Sequence, residues 1–193
     1  MMNDNSALNR DKFIPPKFFE RDATKVAQQL IGASLAVNGI GGIIVETEAY
    51  RMDDAASHSF RGPTVRNAAM FGRAGCAYVY RSHGLHWCFN IVCLPGSAVL
   101  VRALEPKMGE EKMQHRRSLT NPRLLCAGPG RLCQALAINY SHNGLSLENE
   151  PFELSLNPAS ETLVGPRIGI ARAVDLPWRF GMAGSLFLSR PFK

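Results

Sequence analysis

The stretch Gly42–Tyr50, GIIVETEAY, has the two-residue rhythm of a β-strand. Side chains alternate across a strand, so Ile44, Glu46, Glu48 and Tyr50 are expected on one face. Ile43, Val45, Thr47 and Ala49 are expected on the other. The run is apolar enough to lie inside a sheet, yet it carries two carboxylates and a tyrosine on one surface. Taken alone, that surface suits solvated, salt-bridged glutamates better than a catalytic pair, and nothing local separates Glu46 from Glu48 as a base.

Working outward, Asp22 is placed to cap a helix whose buried stripe is Ala23, Val26, Ala27 and Leu30, with Gly32 at its C-terminal end. Further strand-like runs are Ser34–Val37, Ala77–Arg81, Leu85–Leu94 and Ala98–Leu104. Between them Arg51–Gly75 is long, polar and Gly-rich, the kind of loop that in a small domain carries function. Gly109–Leu119 places acids first and bases last, which suits a helix dipole, and a second helix is expected from Pro129. The tail Phe152–Phe187 is expected to form short strands with turns, including RIGIARA and GSLFLS. Strands with interspersed helices but no βαβ rhythm indicate a single mixed α+β domain.

At 193 residues the chain fits one domain of the usual ~100–200 residues. Residues 1–12 are expected to form a flexible arm and 13–193 the domain. An apolar fraction of 46% excludes a wholly disordered chain, and no apolar run is long enough to cross a bilayer. The N-terminus lacks the apolar core of a secretory signal. A net charge of +6 suits a polyanionic partner, although solubility alone could explain it. The five cysteines form no CxxC and are expected as buried free thiols in a reducing compartment.

Three other segments could carry chemistry. In YVYRSHGLHWCFN (78–90), Tyr78 and Tyr80 share a face, His83 and Gly84 fall at a turn, and Asn90 interrupts an apolar run. A half-buried amide must find partners, as a structural bridge or as the reader of a ligand edge. His86 and Trp87 are expected to pack. In VLVRALEP (99–106), Arg102 lies inside a strand, where an ion pair with a nearby glutamate would account for it. His58 sits in the long loop with Arg61, Arg66 and Arg73. GPGR (128–131) offers free backbone N–H groups and a cation at a helix start, a plausible phosphate seat. No HxxxH, HExxH or carboxylate cluster is present, so no metal is expected.

Together these segments resemble the alkyladenine (3-methyladenine) DNA glycosylase family, in one order from about Phe18 to Ser189. The matching motifs are VETEAY (45–50), ASHS (56–59), RN..MFG (66–72), YVY...G (78–84), CFN (88–90), VLVRALEP (99–106), GPGRLCQALAI (128–138), RIGI (167–170) and PWRF (177–180). The resemblance implies a curved, mainly antiparallel sheet flanked by helices. It implies an enzyme that flips damaged purines from double-stranded DNA and hydrolyses the N-glycosidic bond in base-excision repair. Glu48 then matches the general base and Arg102 the active-site arginine. Tyr50, His58 and Tyr80 would wall the base pocket. Asn90 would meet the purine edge and disfavour a guanine amino group by crowding and by an unmatched hydrogen bond. Arg66, Gly128 and Arg131 would contact DNA, and His83 stands where the family inserts a tyrosine into the duplex. Neither a cofactor nor a membrane is implied, and a monomer is expected, in the bacterial cytoplasm on nucleoid DNA or in a eukaryotic nucleus. With no lysine in the pocket motifs, no lyase step is expected. A zinc deaminase would need HxE and PCxxC ligands that the chain lacks. The remaining alternative is a non-catalytic damaged-DNA-binding module on the same fold, or an unrelated enzyme sharing it.

Overall fold

The structure is a computed structural model that describes residues 14–192; the expected arm, residues 1–12, lies outside the described residues. Helix α1 (Ala23–Gln29) starts where Asp22 accepts the Thr24 backbone N–H at 2.8 Å. Strands β1 (Ser34–Val37) and β2 (Ile40–Tyr50) follow, then the long loop, broken only by a 3-10 turn at Ala68–Phe71. Next come β3 (Ala77–Ser82), β4 (His86–Val92) and β5 (Ala98–Met108). Helices α2 (Glu110–Arg117), α3 (Pro122–Leu125) and α4 (Pro129–Leu136) precede β6 (Phe152–Ser155), β7 (Thr162–Gly165) and β8 (Arg179–Met182). Every strand pairing is antiparallel.

The sheet runs β3-β4-β5-β2-β1-β6, and β8 joins β2 as a branch that carries β7. The first half of β2 is flanked by β1 and β5, and the second half by β5 and β8. Glu48 therefore sits on a strand held from both sides, with Leu100 and Arg179 as its cross-strand partners. Close strand approach at the start of β2 needs glycine: a Cβ on Gly41 would lie 2.0 Å from the Leu35 carbonyl oxygen, and one on Gly42 1.9 Å from that of Glu105.

One face of the sheet packs against the helices. Val79, Phe89, Ile91, Val99, Val101, Leu104, Leu35 and Ile44 form one core with Val26 and Leu30 of α1 and Leu132 and Leu136 of α4. The opposite face carries Tyr78, Tyr80, Cys88, Asn90, Ala98, Leu100, Arg102 and Tyr50, all of which line a cavity. Alternation thus sends apolar residues to the core and chemical groups to the cavity.

One expectation from that alternation fails. Ile44 does not share a face with Glu46 and Glu48; it lies in the helix-side core with Ala49. Val45 of β2 and Arg102 of β5 have no cross-strand partner, so each strand carries one extra residue there. The paired slips shift the phase of both strands at the point where Glu46 and Arg102 meet. Neither RIGIARA nor GSLFLS forms a strand: both are bends and turns, because residues 167–173 wrap the cavity and 184–189 return to the base of β2.

Candidate active site

The cavity has a volume of about 1030 Å³. Sheet, long loop and the 168–172 turn each contribute wall residues, including Tyr50, His58, Tyr80, Asn90, Ile168 and Arg172.

Glu48 is fully buried just behind this wall. Its Oε2 accepts the Tyr50 hydroxyl at 2.8 Å and faces Arg102 Nη1 at 3.2 Å. Its Oε1 accepts the backbone N–H of Ile168 at 2.7 Å. All three partners line the cavity. A carboxylate has about four acceptor positions, so one remains open, on Oε1 beside Ile168. Burial, then the Glu48 charge, pushes the Tyr50 hydroxyl well above its ordinary value, so it stays a phenol that donates to Glu48. Burial opposes the Arg102 charge, but Glu48 and Glu46 outweigh it and hold the guanidinium above its ordinary value.

The aromatic wall is interlocked. The Tyr78 and Tyr80 rings stack at 5.4 Å, and His58 meets Tyr80 edge-on at 4.4 Å. His58 Nδ1 lies 2.9 Å from the Tyr78 hydroxyl, which burial pushes up to about 12. The Arg167 guanidinium sits over the Tyr50 ring, 4.6 Å from its centroid. Arg167 also pairs with buried Asp54 and donates to the Ala49 carbonyl at 2.9 Å, which fixes the turn that presents Ile168 to Glu48.

Burial, and then the neighbouring Arg66 cation, lowers the pKa of His58 below its ordinary value. Folded His58 therefore adds stability above the unfolded pKa of about 6.5, and loses it as pH falls through the lower folded value. The His58 imidazole resonances are expected to titrate below a reference peptide by NMR, and Arg66→Gln to recover part of the difference. A midpoint at or above the peptide's would show that His58 is not shielded.

Asn90 is buried, and its Nδ2 donates to the Tyr78 carbonyl at 3.0 Å. That orientation leaves Oδ1, an acceptor, for the cavity that Asn90 lines. An acceptor there can receive a bond from an exocyclic amino group, whereas the second N–H of the same amide would oppose one.

Arg66 lines the cavity and donates to the Arg81 carbonyl at 3.3 Å, and His83 lines it from the hairpin between β3 and β4. His83 (φ 48°) and Gly84 (φ 70°) occupy the centre of a tight turn closed by Leu85 N–H to Ser82 C=O. His86, expected to pack, is instead exposed at the cavity wall beside Gly130. Gly128 and Arg131 are not brought to the wall; Pro129 between them is. Among the described residues no three His, Cys, Asp or Glu side chains gather as a metal site requires, and no helix is long and apolar enough to cross a membrane.

Sequence reasoning assigned no role to Tyr78, Asp54, Arg167 or Ile168. The shared period of Tyr78 with Tyr80 was the signal for the first. A backbone N–H gives no signal at all.

The site is thus an aromatic cavity on one face of a curled antiparallel sheet, with Arg102 in its wall and the Glu48 carboxylate behind it. The chain belongs to the methylpurine-DNA glycosylase family, whose sequence profile matches residues 17–186. A relative from Nitrosospira multiformis is 56% identical over 180 residues, 91% of this chain and 93% of its own. One from Rhizobium meliloti is 58% identical over 176 residues, covering 91% and 95%. One from Agrobacterium fabrum is 57% identical over 181 residues, covering 93% and 94%. All three are named as 3-methyladenine DNA glycosylases.

Proposed function

We propose that the protein is a monofunctional DNA glycosylase that flips alkylated or deaminated purines out of duplex DNA and hydrolyses the N-glycosidic bond with a Glu48-activated water. The observation that carries this is the Glu48 carboxylate, held by Tyr50, Arg102 and Ile168 behind an aromatic cavity with one acceptor position open. The cavity is at the upper end of the ~300–1,000 Å³ usual for ligand pockets, which leaves room for the sugar as well as the base.

An everted purine stacks against Tyr50, with Tyr80 and His58 on the other side and Asn90 at its edge. Stacking returns ~1–3 kcal/mol per base, which offsets a few kcal/mol of unstacking only where a lesion has already weakened the pair. Electron-poor alkylated rings gain most from electron-rich faces. In the complex with the everted nucleotide, where catalytic contacts commonly tighten, a water occupies the open acceptor position of Oε1. The water oxygen then bonds to C1′ while the C1′–N electron pair leaves with the purine. Glu48 takes the water's proton, and its charge steadies the oxocarbenium-like sugar. A cationic alkylpurine departs neutral; a neutral purine takes a proton from solvent. Arg66 and His83 at the mouth contact the phosphates and the vacated stack. The products are a free base and an intact abasic strand of, in a bacterium, nucleoid DNA.

The test incubates the protein with duplexes containing hypoxanthine, ethenoadenine, 3-methyladenine or 7-methylguanine, then cleaves abasic sites with mild alkali. At least one lesion is expected to yield a cleaved strand. Binding without cleavage of any would instead favour the damaged-DNA-binding module.

A further inference from the structure

The second carboxylate of β2 takes no part in the proposed chemistry, yet it accepts four hydrogen bonds. Glu46 is fully buried. Its Oε1 accepts from Arg102 Nε at 3.0 Å, Arg179 Nε at 2.8 Å and the Ser189 hydroxyl at 2.8 Å, and its Oε2 accepts the Ser189 backbone N–H. Arg102 bridges the two glutamates, giving Nε to Glu46 and Nη1 to Glu48. A guanidinium is rigid and planar, so anchoring Nε fixes where Nη1 points.

Ser189 comes from the C-terminal segment, and its hydroxyl also lies 3.4 Å from Arg102 Nη2. The same segment is gripped at three more points by Arg179. The guanidinium donates to the carbonyls of Arg190 and Pro191, and sits 3.9 Å from the Phe192 ring centroid. The Phe192 ring rests on bare backbone, since a Cβ on Gly181 would come within 2.4 Å of it. These bonds tie residues 189–192 to Glu46, Arg179 and the arginine that faces Glu48.

We infer that the C-terminal segment Ser189–Phe192 is a latch for the active site, in which Ser189 and Glu46 act as positioning residues that aim Arg102 at Glu48. The inference rests on the proposed glycosylase function. Arg190 of the segment lines the cavity, but the Ser189 and Glu46 contacts act on turnover and leave the lesion's grip alone, because neither lines the cavity and Tyr50, His58, Tyr80 and Asn90 make no bond to them.

The experiment measures single-turnover excision, affinity for a duplex carrying an abasic-site analogue, and the urea midpoint. Ser189→Ala removes the hydroxyl that donates to Glu46 and accepts from Arg102, and is expected to slow excision about tenfold, with affinity changed less than about twofold. Ser189→Thr, which keeps the hydroxyl, is expected to restore the rate. Glu46→Gln is expected to lose more, about 100-fold, since two arginines share that carboxylate. Full activity in Ser189→Ala overturns the latch. So does a loss in which rate, affinity and midpoint fall together and Ser189→Thr fails to rescue. A wild-type protein that excises no lesion removes the glycosylase reading instead, and the latch with it.

Discussion

Glu48→Gln is expected to slow excision by about 10²–10⁴-fold, the usual range for a lost general base, while retaining affinity for lesion-containing duplex. Glutamine matches the carboxylate in shape but not in bonding. Glu48 receives donors on both oxygens: the Ile168 N–H on one, the Tyr50 hydroxyl and Arg102 on the other. An amide offers one accepting and one donating end, so either rotamer turns N–H toward N–H. The Tyr50 hydroxyl can reverse to accept; Ile168 N–H and Arg102 cannot. The substitution also removes one negative charge from a buried set of Glu46, Glu48, Arg102 and Arg179 that is otherwise balanced. A loss of roughly 1–3 kcal/mol in stability should accompany the kinetic defect. Single-turnover assays alongside urea unfolding separate the two. A variant that folds, binds and excises at the wild-type rate would show that the base lies elsewhere.

The strand that decides this prediction is legible in the sequence, and so is most of the scaffold around it. Helix α1 begins at the expected Asp22 cap, and β1 and the end of β2 fall where alternation places them. Tyr50, His58, Tyr80, Asn90 and Arg102 are drawn to one cavity from four separate segments. What escapes the sequence has physical reasons. The slips at Val45 and Arg102 offset each other, so neither strand shows a break in its apolar pattern, yet together they move Ile44 into the core. Residues 167–173 and 184–189 contain enough branched and aromatic side chains to read as strands. Their backbone groups instead serve Glu48 and Glu46, and a function carried by a backbone N–H leaves no trace in residue type. Asn90 was legible as a polar intruder, but not which end of its amide the Tyr78 carbonyl would take up.

The other large effect is structural. Asp54→Ala is expected to cost about 3–5 kcal/mol in unfolding free energy, because removing one partner of a buried ion pair strands the other's charge. Both side chains are wholly inaccessible, and the Arg167 guanidinium would be left against the Tyr50 and Trp178 rings with only the Ala49 and Ala173 carbonyls as acceptors. Its Nε already has no partner, so the site cannot absorb a further loss. Activity should fall as well, because Arg167 precedes Ile168 and its anchoring holds that N–H on Glu48. Urea unfolding with an unchanged m-value measures the stability term. The double variant Asp54→Leu with Arg167→Met separates the two roles. Replacing both charges by apolar groups is often neutral for stability, so the midpoint should recover substantially over Asp54→Ala. Excision should not recover, since nothing then anchors the turn that carries Ile168. Recovery of both would mean that the pair stabilises the fold without positioning Glu48. An unfolding free energy of Asp54→Ala within about 1 kcal/mol of wild type would mean that Arg167 is free to reach solvent.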